Sequence, residues 1–349
     1  MLIAAFRDLQ WRRRRFIIAI IGTGVVFAMT LVLTGLANGF RVEAEDTVDS
    51  LGVDTWMIPS GVAGPFLGAS PFPESVAEDA ARLDGVTEAV PLVFTGTTVQ
   101  EGDSPTNVNL FGAPTDGPGM PDMSAGEAPA TATEVAVSTA LDKDIGETLE
   151  IGSRALDVVG EVDDSTALAG TPNVFLTVEG AQAVMFAGQP LISSIALEGQ
   201  PAAALDGYKI VDRDDAIDDI LRPLESSYGA ITFIAVLLWI VAALIVGSVI
   251  YLSALERVRD FAVFKAVGVS TRSVLGGLAL QAIIVAIVAA VLGALLSFVL
   301  APLFPMLVVV PITALLLLPL IAIVIGLAAS IAGLRRAVTV DPALAFGGP

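Results

Sequence analysis

Apolar and polar residues alternate along this chain in long blocks. The first apolar block, residues 16–37, follows directly on Arg12, Arg13, Arg14 and Arg15. About 20 apolar residues cross a bilayer as a helix, so this block is long enough. Positive charge beside a span tends to stay in the cytoplasm, which predicts an inner N-terminus and an outer segment from residue 40 onward. Trp11, just before the arginines, suits the headgroup layer. A cleaved signal peptide is the rival reading. The long basic stretch, an apolar core exceeding about 15 residues and a poor small-residue site at 37–39 weigh against it.

Three more apolar blocks follow at 231–252, 274–300 and 312–334. Each is long enough to span, and each must be helical because lipid offers the backbone no hydrogen-bond partner. The pattern predicts a membrane protein with four transmembrane α-helices and a large α+β extracytoplasmic domain inserted between helices 1 and 2. The expected segments are an amphipathic cytoplasmic elbow helix at 1–15, helix 1 at 16–40 and the outer domain at 41–226. Helix 2 at 227–254, a cytoplasmic helix at 255–271, helix 3 at 272–300, helix 4 at 311–334 and a cytoplasmic tail at 335–349 complete it. Both termini are expected in the cytoplasm of a plasma (inner) membrane.

The elbow rests on Leu2, Ala5, Phe6 and Leu9, an i, i+3, i+4, i+7 stripe with Arg7 and Trp11 beside it. A disordered terminus is the alternative. Within 41–226, alternation predicts strands at 54–59, 86–99, 148–151, 155–162, 173–178 and 193–197. Helices are expected at 74–83, between Pro73 and Gly85, and at 179–187. A Gly/Pro-rich loop at 112–129 precedes part of a β-rich subdomain near 100–170. Ile217, Ile220, Leu221 and Leu224 repeat at helical spacing ahead of the second apolar block, and Leu36, Phe40, Val48 and Leu51 follow the first. Both series are read as helical stalks, with Pro223 and Gly229 opposing an unbroken helix. Ser138 and Ser270 are expected on opposite sides of the membrane.

Charge sharpens this picture. Residues 41–226 hold 33 of the 37 acidic residues but only seven of the 18 Lys and Arg. The basic residues outside that segment, including Arg257, Arg259, Lys265, Arg272, Arg335 and Arg336, all fall on the expected inner side. The chain has no cysteine and no histidine, which excludes disulfides, thiolate metal sites and the usual general base. No Gly-x-x-x-x-Gly-Lys run is present to cradle nucleotide phosphates. An acidic outer domain repels nucleic acid. An enzyme is therefore not expected. The run Asp212, Asp214, Asp215, Asp218 and Asp219 invites a calcium reading but lacks the spacing of an EF-hand loop. A solvated helix start, favoured by the helix dipole, accounts for it more simply.

One short polar segment separates the second and third apolar blocks. Leu255, Val258, Ala262, Ala266 and Val269 form an apolar stripe, while Glu256 and Asp260 share another face at i, i+4. Arg257, Phe261 and Phe264 cluster nearby, Gly268 suits a helix stop, and Ser270 suits the next N-cap. Periodicity leaves two readings: an interfacial connector with Phe261 and Phe264 dipped in lipid, or a helix presenting charge and aromatics to a cytoplasmic partner.

The set Glu256, Arg257, Arg259, Asp260, Lys265, Ala266, Gly268 and Ser270 resembles the cytoplasmic loop of the MacB/FtsX-like family of ABC transporter permeases. In that family a run like Glu-Arg-x-Arg-Glu-x-x-x-x-x-Ala-x-Gly-Ala-Ser recurs. Here Asp260 replaces the second Glu and Val269 replaces Ala. Residues 335–344 are similar to that family's C-terminal Arg-x-Ala-x-x-x-x-Pro-x-x-Ala-Leu, and 83–91 and 54–59 resemble its outer domain, the latter that of a DevC-like subgroup.

The resemblance implies a homodimeric permease that docks two copies of a separate ABC ATPase subunit, which would hold the ATP and Mg, with no cofactor on this chain. In it, 256–268 would be a coupling helix in which Glu256, Arg257, Arg259, Asp260 and Lys265 make charged contacts. Phe261 and Phe264 would be its anchors and Gly268 its stop. Arg7 and Trp11 of the elbow would brace the same side. Expected partners are the ATPase, a second copy, membrane lipid and an extracytoplasmic protein. The implied function is export, or mechanical work on an outer substrate. The alternatives are a regulator that activates a partner such as a cell-wall hydrolase and, last, an importer permease. No Asp, Glu, Lys or Arg lies between Gly229 and Leu255 or between Ser273 and Leu334, so a polar path at lipid depth is not expected.

Overall fold

The computed structural model describes residues 13–67, 70–101, 104–167, 170–199, 201–256, 270–304 and 306–338. The elbow residues Phe6, Arg7, Trp11 and Arg12 lie outside the described residues. So do Arg257, Arg259, Asp260, Phe261, Phe264, Lys265 and Gly268 of the cytoplasmic loop, and the tail motif from 339. The chain divides into two compact units, one of residues 1–39 and 226–349, the other of residues 40–225.

The first unit is helical. It holds the first part of α1 (Arg13–Ser50), nearly all of α2 (Glu225–Glu256), α3 (Thr271–Leu300) and α4 (Ile312–Val338). Among the described residues, three helical stretches are long and apolar enough to cross a membrane: Arg13–Ser50, Arg213–Leu252 and Ala279–Leu303. Ile312–Ala328 is a shorter apolar helix carrying an internal proline, Pro319. Large side chains such as Ile18, Leu244, Phe298 and Leu316 are exposed, as lipid-facing positions require. The packed side sets large side chains such as Phe27, Leu31 and Leu318 among alanines and glycines. A methyl added at Gly293 would come within 2.7 Å of Phe27 Cβ, and one at Gly326 within 3.0 Å of the Ala282 carbonyl. Helices that gain no hydrophobic drive from lipid associate through such close backbone contacts.

The second unit is built on β-strands. In chain order these are β1 (Thr55–Pro59), β2 (Phe72–Pro73), β3 (Val86–Glu101), β4 (Ser104–Ala113), β5 (Ala125–Gly126), β6 (Glu134–Ser138) and β7 (Thr148–Ile151). Then come β8 (Arg154–Val162), β9 (Thr166–Ala167), β10 (Thr171–Thr177), β11 (Leu191–Ile192), β12 (Ser194–Gly199) and β13 (Tyr208–Asp212). The main sheet runs β13-β1-β12-β3-β4-β10-β6-β8-β5, with β7 beside β3 and β8 and β9 beside β10; β2 and β11 pair separately. Most pairs are antiparallel, but β4–β10 and β6–β8 are parallel. Strand β3 organises the whole, pairing with β12 through its first half and with β4 through its second. Trp56, Met57 and Ile58 are buried in succession, as are Val174, Phe175 and Leu176. Strands covered on both faces read as continuous apolar runs rather than alternating ones. The rings of Phe66, Phe94, Phe111 and Phe175 pack in series at 4.8–5.2 Å.

Among the strands longer than two residues, sequence patterning misses β4, β6 and β13. Strand β4 is masked by Pro105, Asn107 and Asn109. Its Asn109 is buried and donates from Nδ2 to Asn173 Oδ1 (3.0 Å) of the neighbouring strand, so the polar residue is an internal pair and not a loop marker. The helix expected at 74–83 is confined to Val76–Ala80, with turns on either side. Before α2, a further helix (Arg213–Leu221) is followed by a 3₁₀ turn at Arg222–Leu224. Pro223 has no N–H to continue the ladder, so the break falls there. Gly229 sits inside α2 without interrupting it.

Candidate functional site

Within the membrane unit, the arginine row and the start of the polar loop meet. Arg13 and Arg14 are exposed, whereas Arg15 turns back against α2. Its Nη2 donates to the Val249 carbonyl (2.9 Å) and its Nη1 to Glu256 Oε1 (3.2 Å). The guanidinium is a planar fork, so it can serve a carbonyl and a carboxylate together. Glu256 is the last residue of α2 and the first of the loop motif; α3 resumes immediately after Ser270. The pair therefore ties the base of α1 to the end of α2, where the loop motif begins.

The opposite end is held by backbone contacts. Asn38 Nδ2 donates to the Val309 carbonyl (3.0 Å), and the Val309 N–H donates to the Gly35 carbonyl (3.0 Å). Tyr228 Oη donates to the Ala37 carbonyl (3.2 Å). Gly39 passes so close to the Leu307 carbonyl that no side chain fits. From Arg15 to Asn38 the rise is about 34 Å at 1.5 Å per residue, which matches a hydrocarbon layer of about 30 Å.

The outer unit holds its own polar clusters, which spacing alone does not reveal. The end of α1 carries Asp49, whose two carboxylate oxygens accept from Arg213 Nε (2.6 Å) and Nη2 (2.8 Å). These bonds hold the Asp49 carboxyl below its usual range and raise the Arg213 guanidinium above its own. Asp46 moves the other way, raised by burial and by Asp49 and Glu45 nearby. Glu43 Oε1 accepts from the Thr166 hydroxyl and the Gly170 N–H, both at 2.7 Å.

The stalk residues Phe40, Ile217, Ile220 and Leu221 are buried, and Leu224 is half-buried. The acidic run divides. Asp212 caps the helix from Arg213 by accepting from the Asp215 N–H (2.9 Å), and Asp214, Asp215 and Asp218 are exposed. Asp219 corrects the expectation of a uniformly solvated run: it is fully buried, its Oδ2 accepting from the N–H groups of Phe66 and Leu67 at 2.9 Å. Its Oδ1 lies 3.5 Å from Arg222 Nη2. The signal was present, because Asp219 falls at i+3 from Ala216 on the apolar face of its helix. Among the described residues, no group of three or more acidic side chains is arranged to hold a metal.

Comparison with known proteins supplies the frame. A MacB-like periplasmic core domain model matches residues 16–208, and an FtsX-like permease C-terminal model matches 232–342. An uncharacterized ABC transporter permease of Mycobacterium bovis is 61% identical over 349 residues, covering all of both chains. Another, of Mycobacterium tuberculosis, is 59% identical over the same full length. The solved periplasmic region of MacB from Actinobacillus actinomycetemcomitans is similar at 14% identity and a TM-score of 0.34, covering 50% of this chain and 95% of that one. In this family the ATPase is a separate subunit, and the permease is a membrane protein with a large extracellular domain. With a MacB-type outer domain, an FtsX-type helical end and full-length relatives of the same kind, this chain belongs to the MacB/FtsX-like family of ABC transporter permeases.

Proposed function

We propose that this chain is one half of a homodimeric permease that crosses the membrane four times, keeps both termini in the cytoplasm, and exports or mechanically works on a substrate outside the membrane. Segment 256–268 is its coupling helix, seated in a groove of each of two ATPase subunits. The observation that carries this reading is the Arg15–Glu256 ion pair, with Arg15 also bound to the Val249 carbonyl. It supports a single charged face at which the arginine row and the loop motif act together. ATP binding draws the ATPases together, and the docked helices move with them. The permease responds to the extent that one of its states fits the closed ATPases better. The uncharged spans favour work on an outer substrate over a polar path at lipid depth.

Copurification with the partner ATPase tests the docking. Phe264→Ala removes an aromatic anchor, and aromatic residues dominate interface energetics. Asp260→Lys reverses a charge at the same face. Both variants are expected to lose the ATPase while keeping the wild-type thermal unfolding of the outer domain. An intact complex from both would remove the coupling-helix assignment.

A further inference from the structure

The outer unit carries seven Lys and Arg, and six of them are engaged. Arg41 pairs with Glu45, Arg82 with Asp79, Lys143 with Glu147, Arg213 with Asp49 and Arg222 with Asp219. Lys209 Nζ donates to the Ala63 carbonyl (3.0 Å). Arg154 has no hydrogen-bond or ion-pair partner among the described residues, in a domain where carboxylates outnumber cations several-fold. A cation left unpaired amid so much acid is an exception that its surroundings must explain.

Those surroundings are a groove of about 470 Å³ between the β7–β8 hairpin and the end of the helix Val178–Met185. Ligand-sized clefts fall at about 300–1,000 Å³. Val184 and Met185, both half-buried, give it an apolar wall, and Thr97 and Ser153 contribute hydroxyls beside Arg154. Both rims are preformed. The hairpin turns at Gly152 (φ +63°), and the helix ends through Ala187 (φ +51°) and Gly188 (φ +79°), whose N–H donates to the Gln182 carbonyl (3.0 Å). Left-handed residues at both rims fix the backbone before anything binds.

The geometry points to a binding site for a small single-chain amphiphile with one anionic headgroup. The headgroup, a carboxylate or a phosphate monoester, lies on the Arg154 guanidinium, which suits either in a bidentate fork. The tail lies along Val184 and Met185. The acidity of the domain selects the class: it repels polyanions, whereas one small headgroup can be met by one arginine and the tail gains from leaving water. This site is separate from the coupling segment, and its test does not depend on ATP.

The full chain with its ATPase in lipid nanodiscs is photolabelled with a diazirine-bearing octanoate, and labelled peptides are identified by mass spectrometry. Label is expected on the peptides containing residues 151–154 and 184–187. Excess octanoate or octyl phosphate should compete it away, and the stronger competitor identifies the headgroup; octanol and octyltrimethylammonium should not compete. Arg154→Glu, at an exposed position, should lower the label at least tenfold. Val184→Trp, which fills the groove and keeps the charge, should do the same. Undiminished labelling in Arg154→Glu, or label confined to the spans, would overturn the site. Complete competition by inorganic phosphate alone would overturn the amphiphile.

Discussion

Asp219 shows how much one buried carboxylate can organise. It accepts from the N–H groups of Phe66 and Leu67, and Gly64 approaches its side chain so closely that a methyl there would collide. The loop after β1 is thereby held against the helix Arg213–Leu221, and Phe66 is delivered to its place beside Phe94 and Trp56. Removing an acceptor from buried donors costs more than a hydrogen bond contributes on average, because the donors keep their desolvation penalty. Asp219→Ala is therefore expected to destabilise the outer unit by about 2–3 kcal/mol, and Asp219→Asn, which retains an acceptor, by about half as much. Chemical denaturation followed by tryptophan fluorescence reads this, since Trp56 is fully buried beside the same loop. Equal stability of the alanine variant and the wild type would show that the two N–H groups find other partners.

At the scale of elements, α1 and the helix Arg213–Leu221 are joined by the Asp49–Arg213 fork. The Asp49 carboxyl has an ordinary value of 3.8 and is lowered in the fold. A lowered carboxylate contributes stability above its unfolded value and loses it as pH falls through the folded one. The raised Arg213 contributes fully at all lower pH and so leaves the acid window to Asp49. Asp46, being raised, acts in the opposite sense: its contribution is favourable at low pH and fades as pH rises. Thermal unfolding measured from pH 6 to pH 2.5 should fall more gently in Asp49→Asn than in the wild type below about pH 4. The charge swap Asp49→Arg with Arg213→Asp should restore stability that each single reversal loses. A single reversal with no loss would show the fork to be without effect.

For the whole molecule, sidedness is the property that decides function. Asp144, exposed in the outer unit, and Ser270, exposed before α3, are suited to paired cysteine labelling; Ser138 is not, because it is fully buried. Asp144→Cys should react with an impermeant maleimide in intact cells, and Ser270→Cys only after lysis. Reaction of both in intact cells would refute four spans. Much of this architecture was legible in the chain. Long apolar blocks and the arginines beside them follow from the cost of putting backbone and charge in lipid, so they appear as runs that no packing detail can alter. Strands β1, β3, β7, β8, β10 and β12 were readable from alternation or apolar runs for a similar reason. Strand β4 was not, because its buried Asn109 is satisfied by Asn173 and the Thr171 carbonyl, more than sixty residues away. Arg154 was equally silent: in sequence it is one more cation, and its lack of a partner among the described residues emerges only when the other six cations of the unit are seen to be engaged.

What the sequence determined by itself is therefore what depends on solvent and on local period: the long apolar helices and their order, the acidity of the large domain between the first two, and the loop motif from Glu256. The tertiary structure decided the rest. It placed Arg15 on Glu256, Asp49 on Arg213, and Asp219 under the loop at Phe66. It also left Arg154 without a partner among the described residues, at the edge of a groove. Such pairings set the energy of a charge by its neighbours in space, and the residues concerned stand up to 241 positions apart along the chain, beyond the reach of any periodicity.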